Sequence, residues 1–350
     1  MNVAELLEHL KFEEVVADTA IEGDLAGVSL AGITFNKVNF EAAAIGDCDL
    51  KKALFSACVL NNSDFTSAEL DRVTFSGCQL VGCDLSGRSL NNCIFSSSNF
   101  ERANFSRSNL KQCMVGDCNF TGCSFESSEL FESSIMNSVV DQANFAGINW
   151  VNFSMCNVDL RSCDWFPVRL DRAVMVGCDF SGQVLRDSEW VQCSLNDSKF
   201  LKTDFTDANL FHCLFVGCDI QDSQFKRVEI DGGIFTGAKL SRCDFSSAML
   251  RATNFDGLSA ESVDFSGSDL DQSRFVGADL RVVNFSGAGL TRADFSNASL
   301  LESSFYGAQL LNANWHNVVG NSDLSPAQEK VVIATDENRL SVERRTGKAA

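Results

Sequence analysis

The 350-residue sequence predicts an all-β solenoid, and three counts carry that prediction. The first is a strict period of five. Every fifth position from Leu25 to Trp315 is Leu, Phe, Ile, Val, Met, Trp or Ala, 59 positions without one insertion or deletion. A helix turns every ~3.6 residues and a strand alternates every second one, so neither produces that period. Stacked turns with a buried stripe do. The second count is a period of twenty. Phe205, Phe225, Phe245, Phe265, Phe285 and Phe305 form one column, Phe215 to Phe295 a second, and Leu30 to Leu130 a third. The third is glycine. With the fifth position called i, 17 of the 23 Gly between residues 21 and 320 stand at i+2, where a turn needing positive φ favours them.

The segments follow in chain order. Residues 1–20 carry Leu6, Leu7, Leu10, Val15 and Val16 on helix-like spacing and are expected to form an N-terminal helical cap over the open edge of the first turn. Residues 21–319 form the solenoid. Small residues recur at i−2 (Ala53, Cys58, Ser63, Ala68) and Asp, Asn, Ser or Glu at i−1 (Asp64, Asp84, Asn104, Asp244). In residues 320–350, Ser325-Pro326-Ala327-Gln328 reads as a capping box with Pro at the first helical position. A helix is expected from about 326 to 340, presenting Val331, Val332 and Ile333, before a disordered basic tail, SVERRTGKAA.

The local consensus, seen in Ala278-Asp279-Leu280-Arg281-Val282 and Cys243-Asp244-Phe245-Ser246-Ser247, resembles that of the pentapeptide-repeat family, A-(D/N)-L-x-x, over residues 21–319. The resemblance implies a right-handed quadrilateral parallel β-helix with short helical caps. Four pentapeptides then make one square coil, with i and i−2 inward and the other positions outward. At a strand spacing of about 4.8 Å, about fifteen coils make a rod about 70 Å long.

Composition narrows the function. The formal charge of −19 makes direct binding to nucleic acid or to an anionic membrane a poor expectation. No transmembrane stretch and no secretory signal is visible. Fourteen of the 15 Cys fall at i−2, where they alternate with Ala, Ser and Val as small buried groups would; only Cys156 does not. Reduced core thiols are expected, favouring a cytoplasmic setting. His9, His212 and His316 fall in no ligand-like pair, and Gly287-Ala288-Gly289 lies within the five-residue register without a strand–helix context. Each recurrent Asp at i−1 is expected to satisfy backbone groups at its own turn. No catalytic residue, metal or cofactor is expected; the chain reads as a non-enzyme.

Between residues 131 and 216 the pattern thickens. Trp150, Trp165 and Trp190 occupy i positions, Phe153 an i−2 position, and Phe166 and Phe211 outward ones. Trp150, Trp165, Phe166, Trp190 and Phe211 are therefore candidates for a partner-binding patch, since aromatic residues are enriched at interface hot spots. The leading expectation is a non-enzymatic protein-binding rod acting as an interaction scaffold. A homodimer is expected, through the C-terminal helix or the apolar middle. The resemblance also implies an alternative, imitation of DNA toward a type II topoisomerase (gyrase or topoisomerase IV) with protection from quinolones, carried by outward acids such as Asp187, Asp207 and Glu229. A third is a secreted bacterial effector. Residues 21–320 hold 37 acidic and 22 basic side chains. That is one net charge per ~5 Å of the expected rod, against about 1.7 Å in duplex DNA. The chain is also longer than the typical gyrase-acting member and lacks the loop insertions that several of them carry.

Overall fold

The computed structural model describes residues 1–346 and is a parallel β-solenoid of about 15 turns with few short helices. The chain divides into two compact units, Met1–Val174 and Met175–Ala350. In the first, strands Val15–Ala17, Thr34–Asn36, Leu54–Ser56, Thr74–Ser76, Ile94–Ser96, Met114–Gly116, Ser134–Met136 and Ser154–Cys156 stack in that order. Register is in steps of twenty, with Phe35 beside Phe55, Phe55 beside Phe75 and Ile135 beside Met155. In the second unit, Lys199–Leu201, Asp219–Gln221, Lys239–Ser241, Ser259–Glu261, Asp279–Arg281 and Ser299–Ser303 stack the same way. Other sides of the coils pair through single bridges such as Asp64↔Asp84 and Asp244↔Asp264.

The strands are short because the chain turns a corner every five residues. At one such corner the Ala53 N–H donates to the Leu50 carbonyl at 2.9 Å while Lys52 sits at φ +61°. That is a β-turn with its third residue in the left-handed region, the place a type II turn keeps for Gly or Asn. Gly is favoured at i+2 for this reason, and where another residue stands there it carries the strain.

The i residues form the core. Phe205, Phe225, Phe245, Phe265, Phe285 and Phe305 are fully buried and stack at centroid separations of 4.5–5.3 Å. A second ladder, Phe215 to Phe295, meets the first edge-on, as between Phe255 and Phe265 at 5.7 Å and 72°. Offset stacking along each column and edge-to-face contact between columns are the two arrangements the ring quadrupole favours. The i−2 residues point inward too. There Cys113 donates to the Leu90 carbonyl at 2.7 Å, Ser198 to Met175 at 3.0 Å and Thr203 to Phe180 at 3.1 Å, each 23 residues back. A small side chain with one weak donor therefore fits that site as well as Ala does.

The ends depart from expectation. Helix α1 (Val3–His9) is closed by an Asn2/Glu5 capping box, and Leu6 is its buried residue. The ladder begins inside the segment read as a helical cap: Val15–Ala17 pairs with Thr34–Asn36 at an offset of nineteen. One irregularity between Ala20 and Glu22 restores the offset to twenty, and Val16 and Ile21 take the inward places. At the other end, one helix over 326–340 is replaced by two, α2 (Pro326–Glu329) and α3 (Glu337–Thr346). Between them the Asn312 N–H donates to Val331 and the Trp315 N–H to Ile333, while the Ile333 N–H returns to Ala313. The β-branched run Val331-Val332-Ile333 prefers extended backbone, and the last turn offers unpaired groups to receive it. Residues 341–346, expected as disordered tail, are helical; residues 347–350 lie outside the described residues.

Candidate functional site

Outward side chains stack in columns of twenty-residue spacing, so the site is best built column by column. The i−1 acids serve their own corners, as expected. Asp64 accepts the Thr66 N–H at 2.8 Å and the Thr66 hydroxyl at 2.6 Å, and that hydroxyl first of all holds its carboxyl below the usual 3.8. Asp84, Asp264 and Asp294 likewise accept the N–H two residues on, each at 2.9 Å. Such carboxylates are part of the turn, not paired acids awaiting a substrate. Among the described residues no cluster of three or more His, Cys, Asp or Glu is placed to hold a metal ion.

In the second unit many acids, i−1 acids such as Asp204, Asp244 and Asp269 included, are also matched by cations one coil away. Arg227 grips Asp207 with two bonds of 2.7 Å, and Arg242 holds Asp222 at 2.5 and 2.9 Å. Arg186–Asp204, Lys226–Asp244 and Arg251–Asp269 follow at 2.6, 3.0 and 2.5 Å, and Arg274–Asp256 at 2.8 Å. The Arg227 guanidinium holds the Asp207 carboxyl below its ordinary range and is itself raised, by Asp207 first and more weakly by Asp187. Asp187 and Asp207 are thus exposed members of a column that Arg227 partly neutralises. Glu229 is half-buried, its backbone bridged to Asn209 and Met249.

The aromatic candidates separate sharply. Trp150, Trp165 and Trp190 are 0–1% exposed and cannot meet a partner, which corrects their nomination. They occupy i positions and replace phenylalanine in the interior: Trp150 packs on Phe153 at 4.5 Å, Trp165 on Phe145 at 4.8 Å, Trp190 on Phe205 at 5.4 Å. Phe166, 52% exposed, and Phe211, 36% exposed with its ring against His212, do face outward. Phe166 follows Trp165 in the first unit and Phe211 follows Leu210 in the second.

A different surface, missed in the sequence, stands out in the first unit. Along the face built on Phe35, Phe55, Phe75, Phe95, Val115, Ile135 and Met155, the i−1 column reads Thr34, Leu54, Thr74, Ile94, Met114, Ser134 and Ser154. Leu54, Ile94 and Met114 are exposed, Met114 by 57%. The i+1 column beside it is Asn36, Ser56, Ser76, Ser96, Gly116, Met136 and Cys156. Of the 21 outward positions on this one face (i−1, i+1 and i+2 of the seven pentapeptides) only Lys37 and Asp117 are charged, both at its trailing corner. Reading the i−1 residues at intervals of twenty, rather than along the chain, would have found it.

The chain matches the family described as "Pentapeptide repeats (8 copies)" over residues 48–87, 89–122, 173–211 and 203–242, and "Pentapeptide repeat region" over residues 238–315. No curated protein is significantly similar in sequence. Among solved structures it is similar to HetL, a pentapeptide repeat protein involved in heterocyst differentiation regulation from the cyanobacterium Nostoc sp. strain PCC 7120. That pair shares 21% identity over 69% of this chain and 89% of HetL, with a TM-score of 0.36. It is also similar to QnrB1, a plasmid-mediated fluoroquinolone resistance protein, at 18% identity over 62% of this chain and 98% of QnrB1, with a TM-score of 0.27. These distant likenesses add nothing on function. The family matches cover more than half of the chain, and they coincide with the ladder of inward i and i−2 residues described above: the chain belongs to the pentapeptide-repeat family.

Proposed function

We propose that this protein is a non-catalytic interaction scaffold, a solenoid whose outward columns bind protein, working in the cytoplasm with its thiols reduced. The observation that carries this reading is the separation of surface chemistry from the core. The interior repeats nearly unchanged from coil to coil, while an uncharged seven-coil face in the first unit contrasts with ion-paired columns in the second. A flat face of contiguous apolar and hydroxyl side chains, with charge kept to its corners, is the surface a protein partner can dehydrate cheaply.

Photo-cross-linking from Leu54, Thr66, Phe166 and Asp207 in cells, read by mass spectrometry, tests the proposal. One dominant protein adduct from one column is expected. Background labelling from all four positions overturns it. Imitation of duplex DNA toward a topoisomerase is the weaker reading, because Asp207 is gripped by Arg227 and Glu229 is half-buried. It would be established instead if the wild type inhibited gyrase supercoiling at low salt and the Asp187→Lys, Asp207→Lys, Glu229→Lys triple variant did not.

A further inference from the structure

We propose that the uncharged face of residues 34–157 is covered by a second copy of this chain, the two copies running antiparallel about a two-fold axis at the level of Ile94 and Ser96. The inference rests on reading this face as an interaction surface and goes further by naming its occupant.

Three observations converge on a copy of the same chain. The first is self-complementarity. A two-fold axis lying in the face, along the strand through Ile94, sets each i−1 residue against another i−1 residue at the same distance on the far side. Ile94 then meets Ile94, Met114 meets Thr74, and Leu54 meets Ser134. In the neighbouring column Ser96 meets Ser96, Gly116 meets Ser76, and Met136 meets Ser56. Each large side chain away from the axis falls opposite a small one, which lets two pleated faces interdigitate at the ~10 Å spacing of packed sheets. An isologous contact demands that relation of a single patch.

The second observation is charge. A chain of formal charge −19 repels its own copies over most approaches. Here no carboxylate stands on the i−1 or i+1 columns, and under the two-fold Lys37 faces Asn157 and Asp117 faces Gly77. No like charges are opposed. The third is size. The 21 outward residues of this face match the roughly 20–30 residues per side of a standard stable interface.

The experiment is sedimentation equilibrium on the full chain across the micromolar range. The wild type should show twice the 38.1 kDa chain mass. Ile94→Glu, which sets carboxylate against carboxylate at the axis, should halve the measured mass. Ser96→Arg should do the same without removing any apolar group, so a packing defect in one variant cannot decide the outcome. Far-UV circular dichroism should be unchanged in both, because the side chains point outward. Thr66→Glu, in another column, should remain a dimer. A monomeric wild type, or a dimer that survives both axis substitutions, overturns the proposal. Loss of a cross-linked partner adduct at Leu54 in Ile94→Glu, with a wild type that is monomeric, would remove the second copy and leave the scaffold reading standing.

Discussion

At the scale of single residues, the inward positions set stability and the corners store strain. Phe245 is fully buried and stacks on Phe225 at 4.5 Å and Phe265 at 5.1 Å. Phe245→Ala should cost about 3–5 kcal/mol in urea unfolding, because the columns on either side hold the cavity open. Cys243→Ala should cost about 1 kcal/mol, since it loses only a weak thiol donor shared between the Ile220 carbonyl at 3.3 Å and the Ser241 carbonyl at 3.4 Å. Burial pushes the Cys118 and Cys243 thiols up to about 11 and Cys163 and Cys218 to about 12. The thiolate is the reactive form, so at pH 8 the buried thiols should be inert to a disulfide reagent, and Cys156, the one half-exposed thiol, should react promptly only in the Ile94→Glu variant, where no second copy covers it. Rapid reaction of several thiols in the native protein would contradict the inward placement of i−2. Val282 is the clearest strained corner, a β-branched residue at φ +54° and 50% exposed. Asn tolerates that conformation, so Val282→Asn should raise stability by about 1 kcal/mol, read as a higher melting temperature.

At the scale of elements, the C-terminal closure shows how a local signal is right about a start and wrong about an extent. Ser325 and Gln328 make the capping box that their spacing suggests, yet α2 ends at Glu329, because the following residues gain more as edge pairing on the last turn. Helix α3 is then tied back through His316, which is 2% exposed. The His316 Nδ1 accepts the Asp336 N–H at 3.2 Å, and its Nε2 lies 3.1 Å from Glu343. Arg339 first, then His316, holds the Glu343 carboxyl below its ordinary 4.5. A depressed carboxyl pKa contributes stability above its unfolded value and loses it as the pH falls through the folded one. The protection of the amides of residues 337–346, measured against their intrinsic exchange rates, should therefore fall as the pH drops below 4.5. Glu343→Gln should abolish that step and exchange faster at neutral pH.

At the scale of the whole molecule, the same sign governs acid unfolding. Asp64, Asp159, Asp207 and Asp222 sit below 3.8, held by Thr66, Arg161, Arg227 and Arg242 respectively. Each favours the folded state above 3.8 and ceases to do so as it protonates, so the small share of urea stability lost in the Asp207→Asn, Asp222→Asn double variant should be present at pH 6 and vanish only below pH 3.8. A share that vanishes near pH 5 would show that these pairs do not persist in solution. The individual pairs are exposed and each contributes little; their effect is to change which acids a partner would meet.

The period of five, by itself, determined which side chains point inward. The choice between core and solvent is made within each pentapeptide, by whether a residue at i or i−2 can be dehydrated. The same count implied that Trp150, Trp165 and Trp190 are interior; nominating them for a partner ran against their own register. Glycine at i+2 announced the left-handed corner for an equally local reason. What only the tertiary structure decided is which outward residues become neighbours. Ile94 and Met114 are distant along the chain and adjacent only once coils stack at the strand spacing of about 4.8 Å, with Leu54 joining their column across Thr74. Arg227 finds Asp207, and the Val331-Val332-Ile333 run finds the last turn, for the same reason. Lateral contact, the charge a face presents and the closing of its ends arise from stacking, whereas inward or outward direction arises from burial within a single turn.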